Sequence, residues 1–429
     1  MFNRDEKKLK SNVTKPLKDL IAVEKFEELL KDKKRQLLLQ HISESMGLNS
    51  TRFDKLALSL IHNITRYCQN LPEPTLYYSH RGGLIDHALN RTEAALQLVR
   101  QILVLDKNAI PSEEQAIWLY ALFSAAMLRG IGKLYTDYQI DLFDPNGQLI
   151  KRWQPLLEDM PSLGRYFYYD FLRGDDISFR NNITLTFARQ LMPIAGFTWI
   201  ISNPAVFAVW LALLQEDRDG SGSLGAILDR ANAVAIQREI NDYILKYADF
   251  DGRNRMATFV DSTPEMNVNR ERLMGAEFIA WVMDGLETGK IIINKIPMLM
   301  EILPTGVVMS PQLFDMFAQE HLKFKNKVAV QKAFLAWNLH LMTDDAKQAP
   351  SINAIPIDPA MLPEKVTVYN EKTGKLSKIS SLNLVHNIQH HQFNPNKINA
   401  VLDHLSSSGK WVSAEENIVE RRYDNKQRI

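Results

Sequence analysis

The stretch from Pro111 to Lys133 constrains the fold more than any other part of this chain. Ser112 is placed to cap a helix, and Glu113, Glu114 and Gln115 fill its first turn. Ile117 to Leu128 then forms a dense apolar face. A helix of that texture has to be covered by other elements, so the expected fold is mainly α. The flanking segments agree. Phe53, Leu56, Leu58, Ile61 and Ile64 keep a helical period until Pro72 and Pro74. A further helix opens at Gly83-Leu84 and runs through Ala94, Ala95, Leu98 and Val99 to Val104.

After Lys133 the apolar positions alternate from Tyr138 to Trp153 around Asp144-Pro145-Asn146-Gly147, which predicts a hairpin. Helical texture returns from Tyr166 to Ala248, and the polar stretch Ala248 to Asn269 reads as a linker. Arg270 to Leu286 is an amphipathic helix closed near Gly289. A short strand (Ile291 to Ile293), a hairpin around Pro304-Thr305-Gly306 and a helix starting at Ser310-Pro311 follow. That order reads as a small α/β winged-helix-like module. The resulting domain scheme is an arm (1–50), a helical domain (51–260), the winged-helix-like domain (265–345) and a partly irregular tail (346–429). The tail contains one hairpin, Lys365 to Ile379.

Composition narrows the function classes. Fifty-one Lys and Arg stand against 50 Asp and Glu, a formal charge of +1, which argues against a whole-molecule grip on nucleic acid or anionic membrane. A local basic patch stays open. The single cysteine, Cys68, cannot form an internal disulfide and reads as a buried apolar residue in a reducing compartment. The polar N-terminus lacks the apolar stretch of a signal peptide. Ile194 to Leu214 is the most apolar region, and Ser202-Asn203-Pro204 breaks it into two helices expected to be buried, with Trp199 and Trp210 in the core. A cytoplasmic protein without membrane insertion is expected.

Three constellations carry potential chemistry. His80-Arg81-Gly82-Gly83-Leu84-Ile85-Asp86-His87 places two glycines before a helix and His87 one turn into it. Arg129-Gly130-Ile131-Gly132-Lys133 follows the apolar helix, and Leu228-Asp229-Arg230-Ala231-Asn232 sets a carboxylate on a later one. In this order they resemble the HD-type phosphohydrolases, which hold a metal with one His, an adjacent His-Asp pair and a distant Asp. His87 matches the first His and Asp229 the last Asp. Arg129-Gly130 stands where His-Asp belongs, with Gly132 and Lys133 kept. The Gly-Gly-Leu-x-x-His element, the run Gly132 to Asp137 and a hairpin ending near Trp153 resemble the TraI-like, MobH-type relaxases of integrating conjugative elements. Phe278-Ile279-Ala280-Trp281 through Gly306 to Pro311 resembles a region that accompanies this domain in conjugation proteins. The resemblance covers about residues 50–345.

The chain departs from that family at the site. Leu76-Tyr77-Tyr78-Ser79-His80 replaces a histidine cluster, Arg129-Gly130 replaces the metal-binding pair, and Phe179-Arg180-Asn181-Asn182 stands near an expected His. A permanent guanidinium cation at a ligand position opposes metal binding, so no metal or other cofactor is expected. His87 and Asp229 then read as residues hydrogen-bonded within the core. Arg129 reads as the ion-pair partner of Asp229 or Asp86. Alternatively Arg129, Lys133 and the Gly82-Gly83 amides hold a phosphate.

Other candidates carry weaker signals. Tyr77 and Tyr78 occupy nucleophile-like positions but read as packing residues. His386, His390 and His391 have helical spacing without a carboxylate partner. Lys323, Lys325, Lys327 and Lys332 are a nucleic-acid-binding candidate or a solvated face.

The resemblance thus implies a conjugation-associated protein with an inactive site, acting in DNA processing or transfer by binding nucleic acid or a type IV secretion partner. Two rivals stay open. One is an active relaxase or phosphodiesterase with an altered site, using a tyrosine or a divalent metal on His80, His87 and Asp229. The other is a protein-binding scaffold without DNA affinity.

Overall fold

The computed structural model describes residues 14–102, 110–172, 176–253, 264–303, 306–321, 323–324, 326–340, 355–370, 373–381 and 384. It is mainly helical with three small sheets. The chain divides into two units: the first runs to Pro74 and resumes over Tyr78–Ala235, and the second takes Thr75–Tyr77 and the chain from Ile236 onward.

In the first unit the apolar helix is Glu113–Leu128. Ser112 and Gln115 form a reciprocal cap, with bonds of 3.2 Å from Gln115 N–H to Ser112 Oγ and 2.9 Å from Ser112 N–H to Gln115 Oε1. By length and composition this helix, with the turn after it, is apolar enough to cross a membrane, but every residue from Leu119 to Leu128 is buried. Around it pack helices Lys33–Met46, Ser59–Cys68, Gly83–Ile102, Ile194–Ile201 and Pro204–Gln215. A one-turn helix, Lys133–Thr136, follows the Arg129-Gly130 turn.

The predicted hairpin forms between Tyr138–Phe143 and Leu149–Arg152, with Gly147 in the left-handed region at φ +76°. It belongs to a larger antiparallel sheet. Tyr166–Phe171, read from sequence as helical, is a strand paired along Tyr138–Phe143, and Ile21–Ala22 extends the sheet on its other side. Tyr166-Phe167-Tyr168-Tyr169 is aromatic, and such residues favour a pleated, half-buried surface once a partner strand exists. The segment from Thr14 to Ser50 packs as part of this unit.

Ser202-Asn203-Pro204 breaks the most apolar region as expected. Helices Ile194–Ile201 and Pro204–Gln215 meet at 115°, and the Asn203 side chain accepts from Ala205 and Val206 N–H. Trp210 is buried, whereas the expectation of two buried helices fails on the outer face, where Ile194 is 79% and Ile201 42% exposed. Trp199 is half-buried, with the Arg52 guanidinium 4.2 Å from its ring centre.

Helix Arg218–Arg253 runs on into the polar stretch read as a linker. The second unit then holds helix Pro264–Thr288, with Gly289 left-handed at φ +80° after it. The hairpin is Met300–Leu303 with Gly306–Met309, joined by Ile355–Ile357 as a third antiparallel strand. Ser310-Pro311 leads into helix Gln312–Glu320, and Lys327–Ala336 follows. The predicted strand Ile291 to Ile293 is reduced to a single bridge between Ile293 and Val368. The hairpin Lys365–Asn370 with Lys375–Ser380 forms in the expected place. The core is aromatic: Phe278 lies 4.6 Å from Phe314, 5.4 Å from Phe317 and 5.6 Å from Phe334, centroid to centroid.

Candidate functional site

The three constellations converge in the first unit. Helix Gly83–Ile102 presents His87 and, one turn on, Arg91. The end of Glu113–Leu128 presents Arg129, the following turn presents Lys133, and Arg218–Arg253 presents Asp229 and Asn232. Two glycines allow the close approaches. A Cβ at Gly83 would stand 1.7 Å from Tyr78 O, and one at Gly132 would stand 2.2 Å from Arg180 O.

Glu73, between two prolines, is the buried carboxylate of this cluster. Its Oε1 lies 2.7 Å from His87 Nδ1 and its Oε2 accepts from Lys133 Nζ at 2.9 Å. Burial opposes the carboxylate, but Lys133 and His87 outweigh it and hold Glu73 well below the usual carboxylate range. His87 is itself buried. Burial pulls its pKa down to about 4 against the attraction of Glu73, with Arg91 and Lys133 adding to the fall. A neutral ring carries one N–H, which donates to Glu73 from Nδ1. Asn232 Oδ1, 3.0 Å from Nε2, accepts instead from Arg91 Nη1, and Tyr78 stacks on the ring face at 4.8 Å.

Arg91 is buried beside this group and donates to Ala126 O, Arg129 O and the Asn232 side chain. Burial and the neighbouring Arg129 bring its pKa down to about 10. Arg129 completes the pocket: its Nη2 is 2.7 Å from Asp229 Oδ1 and 3.4 Å from Glu216 Oε2. Arg218 Nε approaches the other Asp229 oxygen at 3.6 Å.

Of the two partners read from sequence for Arg129, Asp229 is therefore the one it meets. Asp86 pairs instead with Arg35, through Nε at 2.6 Å and Nη2 at 3.1 Å, and with His80 Nε2 at 2.9 Å. His80 is thus engaged by Asp86, while His87 and Asp229 have their own partners. Among the described residues no group of three or more His, Cys, Asp or Glu side chains is placed to share a metal ion. Cationic Arg129 on Asp229 and Lys133 on Glu73 do not fit a divalent cation, which would be repelled by both.

The remaining sequence candidates separate. The Gly82 amide donates to Asn70 O and the Gly83 amide to His80 O, so both amides of the phosphate arrangement are engaged by carbonyls. Gly130 is left-handed at φ +72°, in the turn that sets Arg129 and Lys133 apart. Tyr78 is buried and donates its hydroxyl to Ala235 O at 2.9 Å, while Tyr77 is half-buried in the second unit. Lys323 pairs with Glu277 at 2.7 Å and Lys327 with Asp315 at 2.9 Å. Lys325 and the histidines at 386, 390 and 391 lie outside the described residues.

Sequence reasoning missed Glu73, Arg91, Glu216 and Arg35. Arg91 was readable, since it follows His87 by one helical turn. Glu73 gave no signal, because a carboxylate between prolines reads as an exposed turn.

Residues 21–254, more than half the chain, match the model of the TraI_2 family, described as "Putative helicase". Residues 273–353 match a second model, TraI_2_C, "Putative conjugal transfer nickase/helicase TraI C-term". The chain belongs to the TraI_2 family. Both matches point to conjugation-associated DNA processing. Among curated proteins none matches the chain.

Proposed function

We propose that this protein is a non-hydrolytic member of the conjugative DNA-processing machinery, with a pocket derived from an HD-type metal site and since closed by charge. One observation carries this reading: Arg129 stands at the His-Asp position and binds Asp229 at 2.7 Å, where a metal ion would otherwise bridge the ligands. Lys133 on Glu73 and the bond of His87 to the same carboxylate support it. Tyrosine chemistry is disfavoured by the burial of Tyr78 and its bond to Ala235. The protein then acts by binding, either DNA in transfer or a protein of a type IV secretion apparatus, with the second unit as a winged-helix-like module. The pairing of Lys323 and Lys327 with carboxylates favours a protein partner for that unit, because paired cations release few counterions from DNA.

Elemental analysis of protein incubated with manganese, iron and zinc tests the reading, combined with a cleavage assay on single-stranded and supercoiled DNA. No stoichiometric metal and no cleavage are expected. A bound metal lost in His87→Ala or Asp229→Ala would overturn the proposal and make the pocket a working centre. DNA binding whose affinity falls steeply with salt identifies nucleic acid as the target, and salt-insensitive binding to a secretion component identifies protein.

A further inference from the structure

Glu216 is an unusual residue at the solvent edge of this charge cluster, its side chain about a third exposed. It ends helix Pro204–Gln215 in the left-handed region at φ +56°, where a side chain with a Cβ is disfavoured. Only Asp217 separates it from helix Arg218–Arg253. The Asn181 side chain donates to Gln215 O at 2.8 Å, which sets the first turn of Ile177–Leu191, and with it Arg180, beside Glu216. Arg129 reaches the Glu216 carboxylate from the other side at 3.4 Å. Its carboxyl is held below the usual range first by Arg129, against burial, and then by Lys133, Arg91 and Arg180. One carboxylate, about a third exposed, therefore sits in the field of four cations.

We propose that the Glu216 carboxylate is an internal stand-in for a phosphoryl group, and that the charge cluster around it is a metal-free phosphate site which Glu216 occupies and a phosphoryl ligand takes over when Glu216 turns out to solvent. Arg129 supplies a guanidinium fork suited to tetrahedral oxyanions, and Lys133, Arg91 and Arg180, the last held on Asp137 at 3.0 Å, supply the field around it. Charge supports the exchange. Arg91, Arg129, Lys133, Arg180 and Arg218 face the carboxylates of Glu73, Asp137, Asp229 and Glu216. With Glu216 swung out, five cations face three carboxylates, a surplus that a phosphate dianion balances. This site differs from the arrangement read from sequence, since Arg180 and Arg91 take the place of the Gly82 and Gly83 amides. It rests on the metal-free reading of the pocket given above.

The test compares the full chain with Glu216→Gln, which keeps shape and removes the charge. Thermal unfolding is followed against inorganic phosphate at constant ionic strength, with a chelator present. Binding of 5′-phosphorylated and 5′-hydroxyl oligonucleotides is measured in parallel. Glu216→Gln is expected to respond to phosphate at about tenfold lower concentration than the unaltered protein, the effect of removing one close competing charge. Adding Arg180→Ala is expected to abolish the gain. Preference for the 5′-phosphorylated strand assigns the site to a DNA end, equal binding of both strands assigns it to backbone phosphate, and a response to inorganic phosphate alone assigns it to a small anion. If neither protein responds to phosphate or oligonucleotide beyond matched chloride, the proposal is overturned. Should Glu216→Gln fail to fold, phosphorus NMR titration of the unaltered protein and of Arg180→Ala decides the matter: equal behaviour of the two overturns the site. A response that appears only without chelator overturns the metal-free reading instead.

Discussion

Each of the two units is held together internally by a different chemistry. The first has at its centre a buried charge network in which Glu73, His87, Arg91 and Lys133 have little contact with water. The second is centred on Phe278, Phe314, Phe317 and Phe334, and Lys323 and Lys327 pair with carboxylates at its surface. Apolar cores tolerate rearrangement because dispersion and burial are non-directional. Buried charges do not, because each must keep a specific partner or remain uncompensated. The first unit is therefore the more sensitive to single polar changes and to pH.

The largest effect expected is that of Glu73→Ala, which leaves Lys133 and the buried His87 without their shared acceptor. It should cost the first unit about 3–5 kcal/mol, comparable with the loss expected in the second unit from Phe278→Ala. Denaturant unfolding followed separately by probes in each unit measures both. If Glu73→Ala costs less than about 1 kcal/mol, the charge network is not what holds the first unit.

A smaller effect concerns acid. The pKa of His87 lies at about 4 in the fold, below its ordinary value of 6.5, so the fold stabilises the neutral ring. Its contribution is fully present above pH 6.5 and is lost as pH falls through about 4, amounting to about 2–3 kcal/mol over that window. Glu73, held below its ordinary range, adds a further loss beginning below about pH 4.5. A Tm-against-pH profile of the first unit should fall between pH 6.5 and 4, and His87→Asn should flatten that section. An unchanged slope in the variant would remove His87 from the comparison.

The smallest effect expected is at Lys323. Its pair with Glu277 is about half exposed on the lysine side, and Lys323→Ala should shift stability by less than about 0.5 kcal/mol. A loss above 1 kcal/mol, measured in the same unfolding experiment, would mean that surface charge does structural work in the second unit as well.

Much of the helical frame was legible because its signals are local. The Ser112 cap, the break at Ser202-Asn203-Pro204 and the hairpins at Asn146-Gly147 and Gly374 are decided within a few residues of chain. Tyr166–Phe171 was misread because its state depends on a partner strand some thirty residues earlier, and no periodicity within the segment reports that. The expectation from the family resemblance, that Arg129 pairs with Asp229 or Asp86, left the partner open, and the fold puts Arg129 on Asp229.

By itself, then, the sequence determined which charges had to be compensated: a guanidinium following a buried apolar helix demands an anion. Only the tertiary structure decided which anion answers each cation. Arg35 reaches Asp86 across 51 residues and Lys133 reaches Glu73 across 60, leaving Asp229 and Glu216 to Arg129. Coulomb attraction depends on distance in space and on local dielectric, neither of which is written in spacing along the chain.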